Sequence, residues 1–239
     1  MKKMIPSTLF IIACLAGGGA WAAPGSTWKG NAELGLLTTH GNTNTKNISA
    51  KFKAVNDRDQ WRHTFKAEAL NSSEQGGTTA ERYFVSGKSD LKLSEKSYAF
   101  GRLTYENDRF SGYDHRTTET LGYGRNIIKH DTLTLDLEAG PGARQSKETA
   151  SGKNQYEGLI HVAGNLEWKV SDSSTFSEDL SSDIGSKTGT VTKSVTALKS
   201  QIVGNLASKI SFTAKYSSQV PAAVTKLDTE TAVTLVYSC

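Results

Sequence analysis

The chain has 239 residues, of which 36% are hydrophobic, and it carries a formal net charge of +4. This charge is small and spread along the chain, which excludes a strongly basic nucleic-acid-binding protein. Of the two cysteines, Cys14 lies in the signal peptide predicted below. Cys239 then has no partner in the mature chain, so a disulfide framework and a cysteine-based metal site are excluded.

The amino terminus is predicted to be a secretory signal peptide. A basic start precedes a short apolar run, and Ala-Trp-Ala at 20–22 provides a small-residue cleavage site. We predict removal of residues 1–22 after export through the Sec pathway, which leaves 23–239 as a single domain. Two alternatives stay open, a membrane anchor and a lipoprotein processing site at Cys14. Beyond the signal peptide, no apolar run approaches the roughly 18 residues of a spanning helix.

From residue 28 onward the sequence divides into twelve strand-like segments. In many of them apolar residues take every second position, which is the period of a strand with one apolar and one polar face. Most segments exceed the length of about 5–6 residues usual in soluble domains and suit a tilted strand that crosses a bilayer. The segments are 28–39, 44–56, 60–71, 80–92, 97–108, 116–128, 131–143, 155–170, 174–184, 190–203, 208–219 and 227–238.

The connections between these segments alternate in length. Those after even-numbered segments are short turns, such as 57–59, whereas those after odd-numbered segments, such as 72–79 and 145–154, are mostly longer and richer in Gly, Asn and Ser. Short turns at one end and longer loops at the other, with an even strand count, are typical of outer-membrane barrels. We therefore predict an all-β, antiparallel transmembrane barrel of twelve strands, with short periplasmic turns and longer extracellular loops. A soluble β-sandwich is the alternative.

Five aromatic residues are expected to form a belt at the periplasmic membrane interface. They begin odd-numbered segments or close even-numbered ones, which places them at one end of the predicted barrel. Aromatic rings favour such membrane–water interfaces. The alternative is that these residues belong to the core of a β-sandwich. The predicted belt consists of Trp28, Trp61, Tyr98, Trp168 and Tyr237.

Charged residues of the segments are expected to face the barrel interior. Leu135 and Leu137 alternate with Asp136 and Glu138, for example, so one face is apolar and the other charged. A Lys or Arg on the lipid side of the midplane costs about 2–4 kcal/mol, so such residues belong inside. The predicted lumen-facing residues are Lys51, Lys53, Arg82, Lys88, Asp90, Arg102, Glu106, Asp136 and Glu138. Three segments alternate too poorly for their faces to be predicted: those near 116–128, 174–184 and 190–203.

Several short motifs, taken together and in this order, carry a family resemblance. They are Thr-Thr-His-Gly-Asn-Thr at 38–43, Asp-Arg-Phe-Ser-Gly-Tyr at 108–113, Leu-Gly-Tyr-Gly-Arg at 121–125, Glu-Ala-Gly-Pro-Gly-Ala-Arg at 138–144 and Leu-Val-Tyr-Ser-Cys at 235–239. From about residue 28 to its end, the chain resembles the YdiY-like family, labelled salt-induced outer-membrane proteins with a domain of unknown function. The resemblance implies an outer-membrane barrel and brings no catalytic residue. The chain departs from the usual barrel pattern by ending in Cys239 instead of an aromatic residue.

The sequence leaves three functional hypotheses open. The favoured one is a narrow pore or a salt- and osmotic-stress protein of the Gram-negative outer membrane, without enzymatic activity. A hydrolase at the extracellular rim would use Asp114 and His115, or His40, but no Gly-x-Ser-x-Gly motif accompanies them. A structural or adhesive surface protein would depend on the long loops. We expect no catalytic, cofactor-binding or metal site; the expected partners are outer-membrane lipid, lipopolysaccharide and, during biogenesis, the barrel-assembly machinery, with no nucleic acid.

Overall fold

A computed structural model describes the protein at residues 28–39, 45–74, 77–109, 111–220 and 225–239. The predicted signal peptide, residues 1–22, and His40 lie outside these ranges. Within the described ranges, no helix is long and apolar enough to cross a membrane.

The described chain forms twelve antiparallel strands that close into one barrel, which confirms the predicted fold class. Each strand pairs with its neighbours in sequence, and the last strand pairs with the first. The strands are β1 (Trp28–Thr39), β2 (Thr45–Asp57), β3 (Trp61–Glu74), β4 (Gly77–Lys92), β5 (Ser97–Asp108), β6 (Tyr113–Lys129), β7 (Leu133–Glu148), β8 (Asn154–Lys169), β9 (Ser174–Gly185), β10 (Thr190–Val203), β11 (Leu206–Ser217) and β12 (Leu227–Ser238).

The barrel closes where β1 meets β12. These strands pair from Asn31 opposite Ser238 to Gly35 opposite Thr234. Just beyond the paired positions, the Gly30 N–H donates to the Cys239 carbonyl at 2.7 Å, and the Cys239 N–H donates to the Gly30 carbonyl at 2.8 Å. Joining the first strand to the last satisfies backbone groups that a sheet edge would leave unpaired in lipid.

The two ends of the barrel differ in their connections. At one end, which we call the turn end, two to four residues join neighbouring strands, as at 58–60 and 204–205. At the other, which we call the loop end, strands run further than the sequence predicts. Residues 72–79 and 145–154 were expected to be loops, yet most of them are paired strand, because β3 extends to Glu74 and β7 to Glu148. Backbone pairing can continue past the apolar band, since it does not require apolar side chains.

The barrel is apolar outside and polar inside, the reverse of a soluble protein. Leu36 and Leu121 are 73% and 70% exposed on the outer surface, whereas Asp90 and His161 are buried in the interior. An apolar exterior with a polar interior is the arrangement of a barrel surrounded by lipid.

Strand register assigns faces to the three segments whose alternation was too weak to predict. β6 turns Leu121 outward. β9 turns Leu180 outward and Asp183 inward, and β10 turns Leu198 outward and Lys193 inward. On β9 and β10 the outward positions also include several hydroxyl side chains, which is why their sequence alternates poorly.

Candidate functional site

The candidate functional site is the cavity inside the barrel, which has a volume of about 750 Å³. It extends from Asp57, at the turn end of β2, to Lys215, towards the loop end of β11. Thirteen basic and ten acidic residues line it. The lining includes all nine residues that the sequence places in the lumen: Lys51, Lys53, Arg82, Lys88, Asp90, Arg102, Glu106, Asp136 and Glu138.

One group of lining charges surrounds Tyr98 in the turn-end half of the cavity. Arg62 Nε donates to Asp90 Oδ2 at 2.7 Å, and Lys88 Nζ lies 3.2 Å from Asp90 Oδ1. The Glu138 carboxylate accepts hydrogen bonds from both Lys88 and the Tyr98 hydroxyl, the latter at 2.7 Å. The two cations lie 5.1 and 5.2 Å from the centre of the Tyr98 ring, within cation–π range. The group therefore ties together β3, β4, β5 and β7.

The position of Tyr98 corrects the predicted aromatic belt, to which this residue does not belong. Its side chain is 4% exposed and lines the cavity. Tyr98 is separated from the inward Arg102 and Glu106 by even numbers of residues, so the pleat of β5 turns all three to the same face. Gly124, opposite Tyr98 on β6, makes room for the ring, since a Cβ at Gly124 would lie 2.3 Å from it.

The other predicted belt residues lie on the outer surface at the turn end, with 40–50% of each side chain exposed: Trp28, Trp61, Trp168 and Tyr237. Tyr123, which the sequence analysis did not select, lies at the same end. It is 49% exposed, and its hydroxyl donates to Ser97 Oγ at 2.7 Å. Its position two residues from the outward Leu121 was the signal that could have identified it.

A second group of charges lies on the wall that runs from β5 to β9, with its members on β5, β7, β8 and β9. The buried His161 donates from Nδ1 to Asp183 Oδ1 at 2.6 Å, and Arg102 Nη2 lies 3.7 Å from the same carboxylate oxygen. Arg144 bridges the two acids of this wall, with 3.6 Å to Asp183 and 3.3 Å to Glu157. Sequence reasoning identified Arg102 alone among these five residues. The others lie in strands where polar residues occupy both faces or where Gly and Pro interrupt the pattern.

Other ion pairs reach across the lumen between strands that are not neighbours. Arg82 on β4 contacts Glu230 on β12 at 3.1 Å. Lys215 on β11 contacts Glu106 on β5 at 2.5 Å, and these strands lie on opposite walls of the barrel. Side chains that meet from opposite walls narrow the interior without filling it with apolar atoms.

Three cavity lysines make no ion pair with a described residue: Lys53, Lys66 and Lys199. Lys53 lies directly opposite Lys66 across β2 and β3, and Lys199 lies directly opposite Lys209 across β10 and β11. Like charges directly opposite one another destabilise a sheet. Mobile anions in a water-filled interior would offset this repulsion.

The residues considered for a hydrolase at the rim have other partners. The His115 ring stacks on Tyr105 with 6.0 Å between ring centroids, and the Asp114 carboxylate pairs with Lys147 at 3.2 Å. The adjacent acid and histidine therefore contact different neighbours. Asp114 does not orient the His115 ring as the acid of a catalytic triad orients its histidine. Among the described residues, no three His, Cys, Asp or Glu side chains are grouped so that they could hold a metal ion.

Comparison with protein families gives a match over residues 32–239 to the model described as "Protein of unknown function, DUF481". The chain is also 26% identical over 212 residues to "Uncharacterized protein YdiY" of Escherichia coli K12, covering 88% of this chain and 83% of that protein. The two matches confirm the family resemblance that the sequence motifs indicate.

Solved structures with a similar fold include outer-membrane barrels. The translocator domain of the autotransporter NalP from Neisseria meningitidis matches with a TM-score of 0.51 and 12% identity, covering 91% of this chain and 90% of that one. The KdgM porin matches with a TM-score of 0.47 and 11% identity, covering 87% and 98%. At this level of identity, the likeness to the translocator domain concerns the fold alone.

Proposed function

The chain belongs to the DUF481 family, described as proteins of unknown function, and we propose that it forms a narrow, water-filled pore in the outer membrane. The observation that supports this most is the cavity of about 750 Å³ with thirteen basic and ten acidic lining residues. Charged side chains are costly to bury unless they are paired or hydrated, so an interior with this many charges favours water. Outside the pore, the proposed partners are outer-membrane lipid and lipopolysaccharide, with Sec export and the barrel-assembly machinery serving biogenesis.

The pore is expected to pass inorganic ions and small hydrophilic solutes. Twelve strands lie between the roughly eight of barrels that side chains can fill and the 16–18 of open porins. The ion pairs of Arg82 with Glu230 and of Lys215 with Glu106 cross this interior and reduce its free section further. Larger solutes would have to break these pairs to pass.

The lining charges favour anions weakly. Basic residues outnumber acidic ones in the lining, and Lys53, Lys66 and Lys199 have no ion-pair partner among the described residues. Unpaired cations along a pore raise the local concentration of anions, whereas cations paired with carboxylates contribute less.

The test is the reversal potential across a KCl gradient, measured for protein extracted from the outer-membrane fraction and inserted in a planar bilayer. Lys53→Gln with Lys66→Gln should shift the potential towards cation preference, because two uncompensated positive charges leave the pore. The matched control is Lys153→Gln with Lys226→Gln, which removes the same charge from exposed loop-end residues and should leave the potential unchanged. Equal potentials for the parent and the lumen variant, or recovery of the protein from the soluble periplasm, would contradict the proposal.

A further inference from the structure

The outer surface of β9 and β10 is polar where the surface of a barrel in lipid is apolar. Across β8 to β11, the register places Phe176 beside Trp168 near the turn end and Thr192 beside Tyr216 near the loop end. Above the level of Phe176 and up to and including the level of Thr192, β9 and β10 turn six side chains outward, of which only Leu180 is apolar. The other five form what we call the polar patch: Glu178, Ser182, Thr192, Ser194 and Thr196.

The opposite side of the barrel provides the comparison. β3 and β4 lie six strands away from β9 and β10 in the closed order. Six outward positions there are paired with one another in the same way, and among these six only Tyr83 has a hydroxyl group. The six are Phe65, Ala67, Ala69, Tyr83, Val85 and Gly87. The outer surface of β3 and β4 is therefore apolar at positions where that of β9 and β10 is polar, so the exterior is not polar throughout.

The polar patch is hydrogen-bonded within itself. The Glu178 carboxylate accepts from Ser194 Oγ at 2.6 Å and from Thr196 Oγ1, while Ser182 and Thr192 share a hydrogen bond of 3.0 Å. These contacts reduce the cost of the hydroxyl groups, but a carboxylate that faces acyl chains stays unfavourable. A polar surface of another protein would remove that cost.

The shape of the region permits close approach. Along the row that crosses the centre of the polar patch, Leu180 and Ser194 are flanked by Gly164 on β8 and Ala214 on β11. Three of these four residues are small, and small residues at an interface within a membrane allow backbones to pack closely.

We propose that the polar patch is the interface of a homodimer, with a second copy of this chain as its occupant. Two copies inserted in the same direction can be related by a two-fold axis along the membrane normal, which sets β9 of one copy against β10 of the other. Glu178 then faces Thr196 of the second copy, and Ser182 faces its Thr192, so each acceptor meets a hydroxyl donor. A surface whose two halves complement each other in this way suits an isologous contact.

The test is thiol crosslinking in native membranes. Leu180→Cys in a Cys239→Ser background, treated with a bismaleimide whose reach matches the roughly 10 Å between packed sheets, should give a dimer of this chain on denaturing gels. The matched control is Val85→Cys in the same background, an outward residue on the opposite side of the barrel, which should stay monomeric. The same low yield from both variants, or a product that joins Leu180→Cys to a different protein, would overturn the proposal.

A second variant separates dimer contact from lipid contact. Adding Glu178→Leu to the Leu180→Cys reporter should lower the dimer yield to that of the Val85→Cys control, because the carboxylate no longer meets the hydroxyls of the second copy. A difference in gel mobility between unheated and heated samples, as in the parent protein, shows that the barrel of this variant is folded. An unchanged dimer yield in the folded Glu178→Leu variant would overturn the role of the polar patch.

Discussion

At the residue scale, the inward Tyr98 organises the charges of the turn-end half of the lumen. Its hydroxyl donates to Glu138, and its ring lies against the cations of Arg62 and Lys88. The ring occupies space that only a glycine at position 124 leaves open. An aromatic side chain paired across strands with a glycine is a recurrent way of covering the glycine and fixing register.

This contact predicts a strong effect of a single methyl group. In Gly124→Ala the added Cβ would lie 2.3 Å from the Tyr98 ring, so the ring or the backbone of β6 must shift. Overpacking of this kind costs about 1–3 kcal/mol. We therefore expect a lower temperature for the heat-induced mobility shift of the barrel on denaturing gels.

Gly87→Ala is the matched control for this prediction. Gly87 faces outward, and a Cβ there has nothing within 4 Å. Its unfolding temperature should equal or exceed that of the parent, because alanine also loses less backbone entropy on folding than glycine does. Indistinguishable temperatures for the two variants would contradict the close contact at Gly124.

The sequence predicts the facing of an individual side chain only where apolar and polar residues alternate clearly around it. Lys51 and Lys53 alternate with outward Ala and Phe residues, so the period of two predicts that both lysines face the lumen. For Tyr98, position at the end of a strand predicts the interfacial belt, whereas parity with Arg102 predicts the lumen, where the structure places the side chain. Tyr123 was missed because the glycines beside it carry no side chain that would mark the inner face.

At the scale of elements, one carboxylate on β8 fixes the connection between β9 and β10. Glu157 Oε2 accepts from the backbone N–H groups of Lys187 and Thr188 at 2.8 and 2.9 Å, and its other oxygen accepts from the Thr188 hydroxyl. Thr188 is buried as a result, although it belongs to a loop. Glu157 thus holds the loop against the barrel wall, together with Arg144, whose Nη1 donates to the Thr188 hydroxyl at 3.1 Å.

Removal of this carboxylate should release the loop. In Glu157→Ala the N–H groups of Lys187 and Thr188 lose their acceptor, and a buried donor left without a partner costs about 1–3 kcal/mol. We expect faster tryptic cleavage after Lys187 in intact proteoliposomes. Cleavage after the exposed Lys153 in another loop provides the internal reference, and an unchanged ratio of the two rates would contradict this role of Glu157.

Faces could be predicted for elements with a single apolar side and could not for β9 and β10. Ser and Thr occur on both sides of these strands, so the period of two is hidden in the sequence. Only the register imposed by β8 and β11 decides which hydroxyls face outward. The same ambiguity concealed the polar patch, because the assignment of faces from sequence periodicity assumes that the outer face is apolar.

At the scale of the whole molecule, closure of the barrel pairs charges that are remote in sequence. Lys215 and Glu106 are 109 positions apart, and Arg82 and Glu230 are 148 apart. Alternation predicts that such residues face the interior, but it carries no information about which opposite walls meet. The pattern of paired and unpaired lumen charges, on which the proposed anion preference rests, therefore emerged only from the closed barrel.

A pore of the proposed kind must conduct, and single-channel recording of the refolded protein in a planar bilayer measures this conduction. We predict stable current steps that grow with KCl concentration. Replacing Arg82 and Arg102 together by Gln should change the step size or move the ion preference towards cations, because Glu230 and Asp183 lose cationic partners. A barrel that shows the folded mobility shift yet never conducts would contradict the claim.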